Sequence, residues 1–489
     1  MKQNASAKNP QSSTLEYIGI AALLYLVALV VFAPGLRAWF VSDAWKFLEF
    51  AYDTTYADVF RQFLPEPENW YRPLTRLIFQ IEFNLFGLEP LGYHLVALAL
   101  HVASAFSLYG LTRLLLKSRL AALLAAFLFL LTIHAHEVVW SIGDLHNSLA
   151  GAFMLTTLWL YIAGKYKGAF LALALNLMAD ETGIVTCALL GLYEICLRVS
   201  HIERRALQNA AFRFAPFALL TATYLLFRVL WARSILNESV PCHAPLCLIN
   251  GMSEYLNRLF VRHDQLLALL WTRRPYFTIV ISLALIAFTI TTKPWRWAEW
   301  RVLLFASGWM ALASFFLVWS LWPYVADRFW YVPDMGLALA LATVFVHVRR
   351  AFPTLNSWQR AFTFSAGVVL LLWIALGAIM LFQRGQLWQR AGEQAHFIVQ
   401  NVQHLVPNPP PNPTFIFDSI PDSYLETFPP GNTGPYVFRN GLREALHLHY
   451  ARADVDIAIA GSEDARTATN PIYLTIAPDR VELISRPPP

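Results

Sequence analysis

YIGIAALLYLVALVVFAPGL, residues 17–36, contains no charged side chain. As a helix rising 1.5 Å per residue it is long enough to cross the roughly 30 Å hydrocarbon core of a bilayer. FAPFALLTATYLLFRVLWA at 214–232, charged only at Arg228, and AFTFSAGVVLLLWIALGAIMLFQ at 361–383 are also long enough to cross. Outward from these, apolar runs recur at 17–36, 91–115, 119–134, 148–163, 168–179, 182–197, 212–231, 276–292, 301–321, 334–348 and 361–383. They predict an all-α polytopic membrane protein of about 11 transmembrane helices.

The composition agrees. Of 489 residues, 57% are hydrophobic and 14% charged, against roughly 25% charged in soluble domains. Trp39, Trp45, Trp140, Trp231, Trp271, Trp295, Trp297 and Trp330 fall at the ends of expected spans, where indoles anchor in the interface. The net charge of +5 is small and dispersed, so no nucleic-acid partner is expected. MKQNASAKNPQSS lacks a small-residue cleavage site, and the run after it reads as a retained span.

Basic residues mark every second short connection: Lys117 and Arg119, Lys165 and Lys167, Arg198, Arg204 and Arg205, Lys293, Arg296 and Arg301, Arg349 and Arg350. The positive-inside rule then makes 1–16 a cytoplasmic tail and puts the C-terminus outside. Loops 37–90 and 232–275, the turns 134–147 and 322–333, and the Asp180-Glu181 junction fall outside with it, so an active site is expected to face the extracytoplasmic side. AWKFLEFAYDTTYADVFRQFL, in loop 37–90, is amphipathic enough to lie on a membrane or on protein.

The domains expected are a membrane domain over 17–383 with its outer loops, a linker over 384–413 ending in the stiff VPNPPPNP, and a small extracytoplasmic domain over 414–489. TFIFDSI, GPYVFRN, DVDIAIAG and PIYLTIAPDRVELIS read as strands, giving that domain a mixed or mainly β character. REALHLHYA at 443–451 reads as helix or strand. Cys187 and Cys196 lie in apolar sequence as packing residues, whereas Cys242 and Cys247 share a polar loop where a short disulfide fits an oxidising compartment.

Ionisable residues beside spans are the candidates for chemistry. Asp43, in FVSDAW, either caps the next helix or accepts a proton from a substrate hydroxyl or binds a cation. His134, His136 and Glu137 in HAHE, with Asp144 in WSIGDLHN, crowd one boundary. HAHE lacks the i, i+4 histidine spacing of a zinc helix, so orienting a sugar or lipid phosphate is the preferred reading. No metal or cofactor is expected, although these side chains are compatible with a divalent cation. Asp180 and Glu181, in LMADETG, interrupt an apolar stretch and suit a substrate-facing role. Arg72 in NWYRPL and Arg328 in YVADRFWYVPD read as phosphate ligands or as snorkelling interfacial arginines. Arg228, Arg233, Arg258, Arg262 and His263 are weaker candidates for the same task.

FVSDAW, NWYRPLTRLIFQIEFNLFGLEPLGYHLVALALHVASA, LLTIHAHEVVWSIGDLHN, ADETG and DRFWYVPDMGLALALA, spread over 17–348, together resemble the class C (GT-C) membrane glycosyltransferases. Within them the likeness is to the tetratricopeptide-associated O-mannosyltransferase branch, which uses dolichyl-phosphate mannose, and to its bacterial relatives. The resemblance implies inverting transfer of a sugar from a polyprenyl-phosphate donor to an extracytoplasmic glycan, lipid or protein, at the outer face of the inner (plasma) membrane. It implies Asp43 and Glu181 as catalytic carboxylates and Arg328 and Arg72 as phosphate ligands. Tyr71 and Pro73 flank Arg72 in the matching motif. His134, His136, Glu137, Asp144 and Asp180 would position sugar or acceptor. Ser42 stands where many relatives carry a second acid, and Asp180 where they often carry lysine. No tetratricopeptide repeats are legible after the last apolar run. A transporter or flippase of a lipid-linked solute, or a non-catalytic membrane scaffold, are the alternatives. The one-sided gathering of charge and the lack of an internal repeat disfavour a transporter.

Overall fold

The run at 17–36 folds as α1 (Pro10–Phe32), and its last residues form a 3-10 turn, Ala33–Arg37, where Pro34 has no N–H to continue the helix. The computed structural model describes residues 10–64, 71–199, 203–230, 280, 283, 289–321, 326–424, 434–477 and 480–484. Expected loop 232–275, with Cys242 and Cys247, and nearly all of expected span 276–292 lie outside the described residues.

The described residues between 37 and 90 form three short helices. In α2 (Ala44–Asp53), Ala44, Trp45, Leu48 and Ala51 make one buried face. α3 (Tyr56–Arg61) opens on a capping box in which Thr55 and Asp58 satisfy each other's backbone N–H groups. α4 (Pro73–Phe86) starts at a proline, which is pre-set for the first helical turn. Then follow α5 (Pro90–Leu116), α6 (Arg119–Leu130), α7 (Ala135–Trp140), α8 (Leu145–Ile162), α9 (Tyr166–Ala179), α10 (Gly183–Tyr193), α11 (Arg204–Leu230), α12 (Trp300–Leu321), α13 (Tyr331–Ala351) and α14 (Ser357–Leu405).

The chain is a multi-pass membrane protein, but the expected count of about 11 spans is corrected. Among the described residues five stretches are long and apolar enough to cross a bilayer: Thr14–Arg37, Pro90–Leu116, Arg204–Leu230, Asp327–Thr354 and Ser357–Leu405. Arg119–Leu130, Tyr166–Ala179 and Trp300–Phe316 are apolar but shorter. Hydropathy counted apolar residues beyond the points where the regular α-helix ends. Run 119–134 leaves its helix at Leu130, and run 182–197 ends α10 at Tyr193 in a π turn, Glu194–Arg198. The short helices still run between two ends. At one end, Glu16 of α1 pairs with Arg113 and Arg119 at the α5–α6 turn, and Glu194 pairs with Arg213 of α11. The other end carries the site.

The expected linker over 384–413 is also corrected, because α14 is a single helix of 49 residues that continues to Leu405. Its lower half exposes Phe362, Phe364, Leu371, Leu372 and Ile379, as a lipid-facing helix does. Its upper half buries Gly385, Trp388, Ala391, Gly392, Ala395, Ile398, Val399 and Val402, a stripe at helical spacing that packs on protein.

The C-terminal domain holds a small open sheet of β1 (Pro413–Phe417), β2 (Asp456–Ile459), β3 (Asn470–Ala477) and β4 (Arg480–Leu483), in the order β2-β1-β3-β4. β1 is parallel to β2 and β3, and β4 is antiparallel to β3. α15 (Leu442–Tyr450) and α16 (Glu463–Thr467) lie in the crossovers, so the domain is mixed. GPYVFRN, expected as a strand, forms only an isolated bridge, Ser423 to Tyr436.

Candidate functional site

At the end of the helices from which the C-terminal domain extends, charged residues from five distant segments meet. Ser42 takes a left-handed conformation, φ 47°, and Asp43 follows as the residue before α2. The Asp43 carboxylate caps nothing. It lies 3.5 Å from Lys46 and is about half exposed, at 49%. Gly143 backs against it, and a Cβ there would lie 3.0 Å from the Asp43 Cβ, so this approach requires glycine.

Asp144 adjoins that contact. Its Oδ1 lies 3.2 Å from Arg328 Nε, while Arg328 also donates from its backbone N–H and from Nη1 to Glu137 Oε2, each at 3.1 Å. Glu137 is fully buried, and its other oxygen accepts the Gly434 N–H at 2.9 Å and the Tyr436 hydroxyl at 3.4 Å. A carboxylate withdrawn from water is tolerable with these charge-assisted partners. Burial pushes the Asp144 carboxyl up to about 6. Arg328 opposes the rise, and Glu137 and Asp43 add to it.

A second cluster lies at the entry to α4 and the α9–α10 junction. Arg72 grips Glu181 with two parallel bonds, Nε to Oε2 at 3.1 Å and Nη2 to Oε1 at 2.7 Å, and Nη2 reaches Asp180 Oδ2 at 3.1 Å. Asp180 also accepts the Thr182 N–H at 2.9 Å, which closes the junction. Burial raises both carboxyls. For Glu181 the Arg72 charge and hydrogen bond outweigh burial and lower its pKa, whereas Asp180, repelled by Glu181, stays raised. His146 joins the clusters. Its Nε2 is 3.8 Å from Asp180, and burial together with both Arg72 and Arg328 holds its pKa well below the ordinary histidine value.

His134 and His136, read from sequence as substrate-positioning, are engaged in braces. His134 Nδ1 meets Asp334 Oδ2 at 2.7 Å. The Trp388 indole N–H donates to His136 Nδ1 at 3.0 Å, and His136 Nε2 lies 2.9 Å from Asp327 Oδ2 and 3.0 Å from Arg384 Nη1. Arg384 also reaches Asp327, at 3.3 Å. Arg72 and Arg328, expected as phosphate ligands, already face carboxylates through Nε and Nη atoms. Asp43, Glu137, Asp144, Asp180 and Glu181 outnumber Arg72, Arg328 and Lys46, so the site suits proton acceptance and cation binding. A separate trio, Glu49, Asp53 and His447, has ligand-type atoms within 4.8 Å of one another. There Arg443 holds both Glu49 oxygens, at 2.9 and 3.0 Å, and His447 Nδ1 is 2.6 Å from Glu49, which joins α15 to α2.

Sequence reasoning left out Asp327, Asp334, Arg384, Trp388, Gly434 and Tyr436. Asp327 and Asp334 stand beside Arg328 in DRFWYVPD, and charge at a span boundary was the available signal. Gly434 and Tyr436 gave none, because their partner Glu137 lies nearly 300 positions earlier, at a separation of 297 from Gly434.

No family model matches the chain. It is 28% identical over 396 residues to Protein O-mannosyl-transferase Tmtc3 of Drosophila melanogaster, across 63% of this chain and 42% of that protein. It is 31% identical over 133 residues to Protein O-mannosyl-transferase Tmtc1 of the same organism, across 26% of this chain and 15% of that protein. The chain thus spans less than half the length of either relative. Among solved structures, apo ArnT from Cupriavidus metallidurans aligns with TM-score 0.45 at 14% identity, over 94% of this chain and 93% of that one. The oligosaccharyltransferase AglB from Archaeoglobus fulgidus, solved with an inhibitory peptide and a dolichol-phosphate, aligns with TM-score 0.40 at 13% identity, over 76% and 56%.

Proposed function

We propose that this protein is a polyprenyl-phosphate-sugar-dependent glycosyltransferase working at the extracytoplasmic face of the membrane. The observation that carries the reading is the convergence of Asp43, Arg72, Glu137, Asp144, Asp180, Glu181 and Arg328 at one end of the helices, with Asp43 half exposed among carboxylates held by arginines. The sequence likeness to two O-mannosyl-transferases supports it and makes a mannosyl donor the first to test.

Asp43 takes the proton of an acceptor hydroxyl. The acceptor oxygen bonds to the anomeric carbon as the bond from that carbon to the phosphate oxygen breaks, and polyprenyl phosphate leaves with the electron pair. Attack opposite the leaving group inverts the anomeric centre. Arg328, its plane fixed by Glu137 and Asp144, stabilises the charge growing on the phosphate. Arg72, fixed by Glu181, supports the same face. Phosphate is a competent leaving group, so the mechanism calls for no general acid.

The test is release of polyprenyl phosphate and labelled product from a panel of polyprenyl-phosphate sugars by the purified protein. Asp43→Asn is nearly isosteric. It should lower turnover by about 10² or more and leave donor binding unchanged. Wild-type turnover in that variant would remove Asp43 as the base. Arg328→Lys keeps the charge but loses the fork, and it should weaken both donor binding and turnover.

A further inference from the structure

The stretch GPYVFRNG at 434–441, between β1 and α15, buries Tyr436, Val437 and Phe438 and touches the site at both of its ends. At one end the Gly434 N–H holds Glu137, the carboxylate that grips Arg328. Further on, the Val437 carbonyl accepts the Ser42 N–H at 3.0 Å, and Asn440 Oδ1 accepts the Ser42 hydroxyl at 3.1 Å. At the other end Gly441, φ 90°, lies against the Ser42 carbonyl so closely that a Cβ would sit 2.3 Å from its oxygen. That oxygen also accepts the Trp45 N–H at 3.2 Å. A left-handed conformation is unfavourable for a non-glycine residue and persists only where its surroundings over-determine it. Ser42 is over-determined in this way, since its N–H, hydroxyl and carbonyl are all engaged and two of the three partners come from the C-terminal domain. The conformation of Ser42 sets the direction in which Asp43 leaves the chain.

We propose that residues 434–441 are a positioning clamp. Val437 and Asn440 hold Ser42 left-handed and so aim the Asp43 carboxylate, while Gly434 fixes Glu137 and through it Arg328. The C-terminal domain is thereby part of the catalytic apparatus. The kinetic consequence rests on the transferase reading above, whereas the conformational consequence does not.

The experiment uses the full chain with Asn440→Ala, Asn440→Asp and Arg452→Ala. Asn440→Ala removes the acceptor for Ser42, and Asn440→Asp restores one. Arg452→Ala breaks a brace to Asp454, Pro409 and Pro410 elsewhere in the same domain. Asn440→Ala should lower kcat about tenfold to a hundredfold, with donor KM within about twofold of wild type. Asn440→Asp should recover most of kcat, and Arg452→Ala should leave kcat unchanged. Equal loss in Asn440→Ala and Arg452→Ala, or no loss in Asn440→Ala, overturns the clamp. Hydrogen exchange gives a readout independent of turnover: Asn440→Ala should speed exchange of the Ser42 and Trp45 amides, and unchanged exchange there overturns the clamp as well. Absence of turnover by wild type on every donor would sink the transferase reading alone, leaving exchange to decide the clamp.

Discussion

The two arginine assemblies differ in what they demand of pH and of mutation. Asp144 has its carboxyl raised to about 6 by burial, so the folded protein holds that proton more tightly than the unfolded chain. Its contribution to stability is complete below the ordinary carboxylate pKa of about 4 and is lost as pH rises through about 6. The pairing with Arg328 has the opposite dependence, because it needs the ionised form. Turnover should therefore fall as pH drops through about 6, and Asp144→Asn should abolish that limb of the kcat/KM profile. A limb that survives the substitution belongs to another group. For the second assembly, Arg72→Ala leaves Asp180 and Glu181 buried without their cation, a loss of about 3–5 kcal/mol. Thermal unfolding in detergent measures it, and adding Glu181→Gln should return part of the loss. A change below about 1 kcal/mol would mean that water already reaches the pair. These acids and arginines were legible in sequence because charge at a span boundary is costly enough to be informative. The direction of His134 and His136 was not, because it depends on Asp334 and Asp327, which fold brings up from α13 and the turn before it.

At the scale of the element, α14 shows where hydropathy ends and helix propensity continues. After Gln383 the sequence turns polar, yet QRGQLWQRAGEQAHFIVQNVQHL is rich in good helix formers and keeps its apolar residues on one stripe. The two halves face different surroundings, which gives a paired prediction. Trp388 is fully buried and bonded to His136, so Trp388→Ala should cost about 3–5 kcal/mol. Phe364 is 72% exposed, and Phe364→Ala should stay within about 0.5 kcal/mol. Both are read by thermal unfolding, and equal losses would contradict the division of the helix. The short helices α6 and α10 show the converse: their apolar runs outlast the regular α-helix, because a turn at Leu131 ends one and a π turn at Glu194–Arg198 ends the other without a change in composition.

For the whole molecule, the basic connections alternate with the acid-rich segments of the site, and that supports the topology proposed. Reporters fused after Lys117, Asp144, Arg205 and Pro413 should read cytoplasm, outside, cytoplasm and outside, and a cytoplasmic signal at Pro413 would overturn the sidedness. By itself the sequence determined membrane residence, the alternation of basic connections and the identity of most charged residues at the site. Each follows from local hydropathy and charge, which act through solvent and need no knowledge of the fold. Only the tertiary structure decided which of the described helices are long enough to span, that α14 carries its packing stripe out to Leu405, and that Asp43, Glu137 and Arg328 share one assembly with residues 434–441. Those outcomes depend on hydrogen bonds between positions as far apart as Ser42 and Asn440, separated by 398 residues. Such a contact forms only when the helices between have stacked and closed the loop, and no local pattern of residues encodes it.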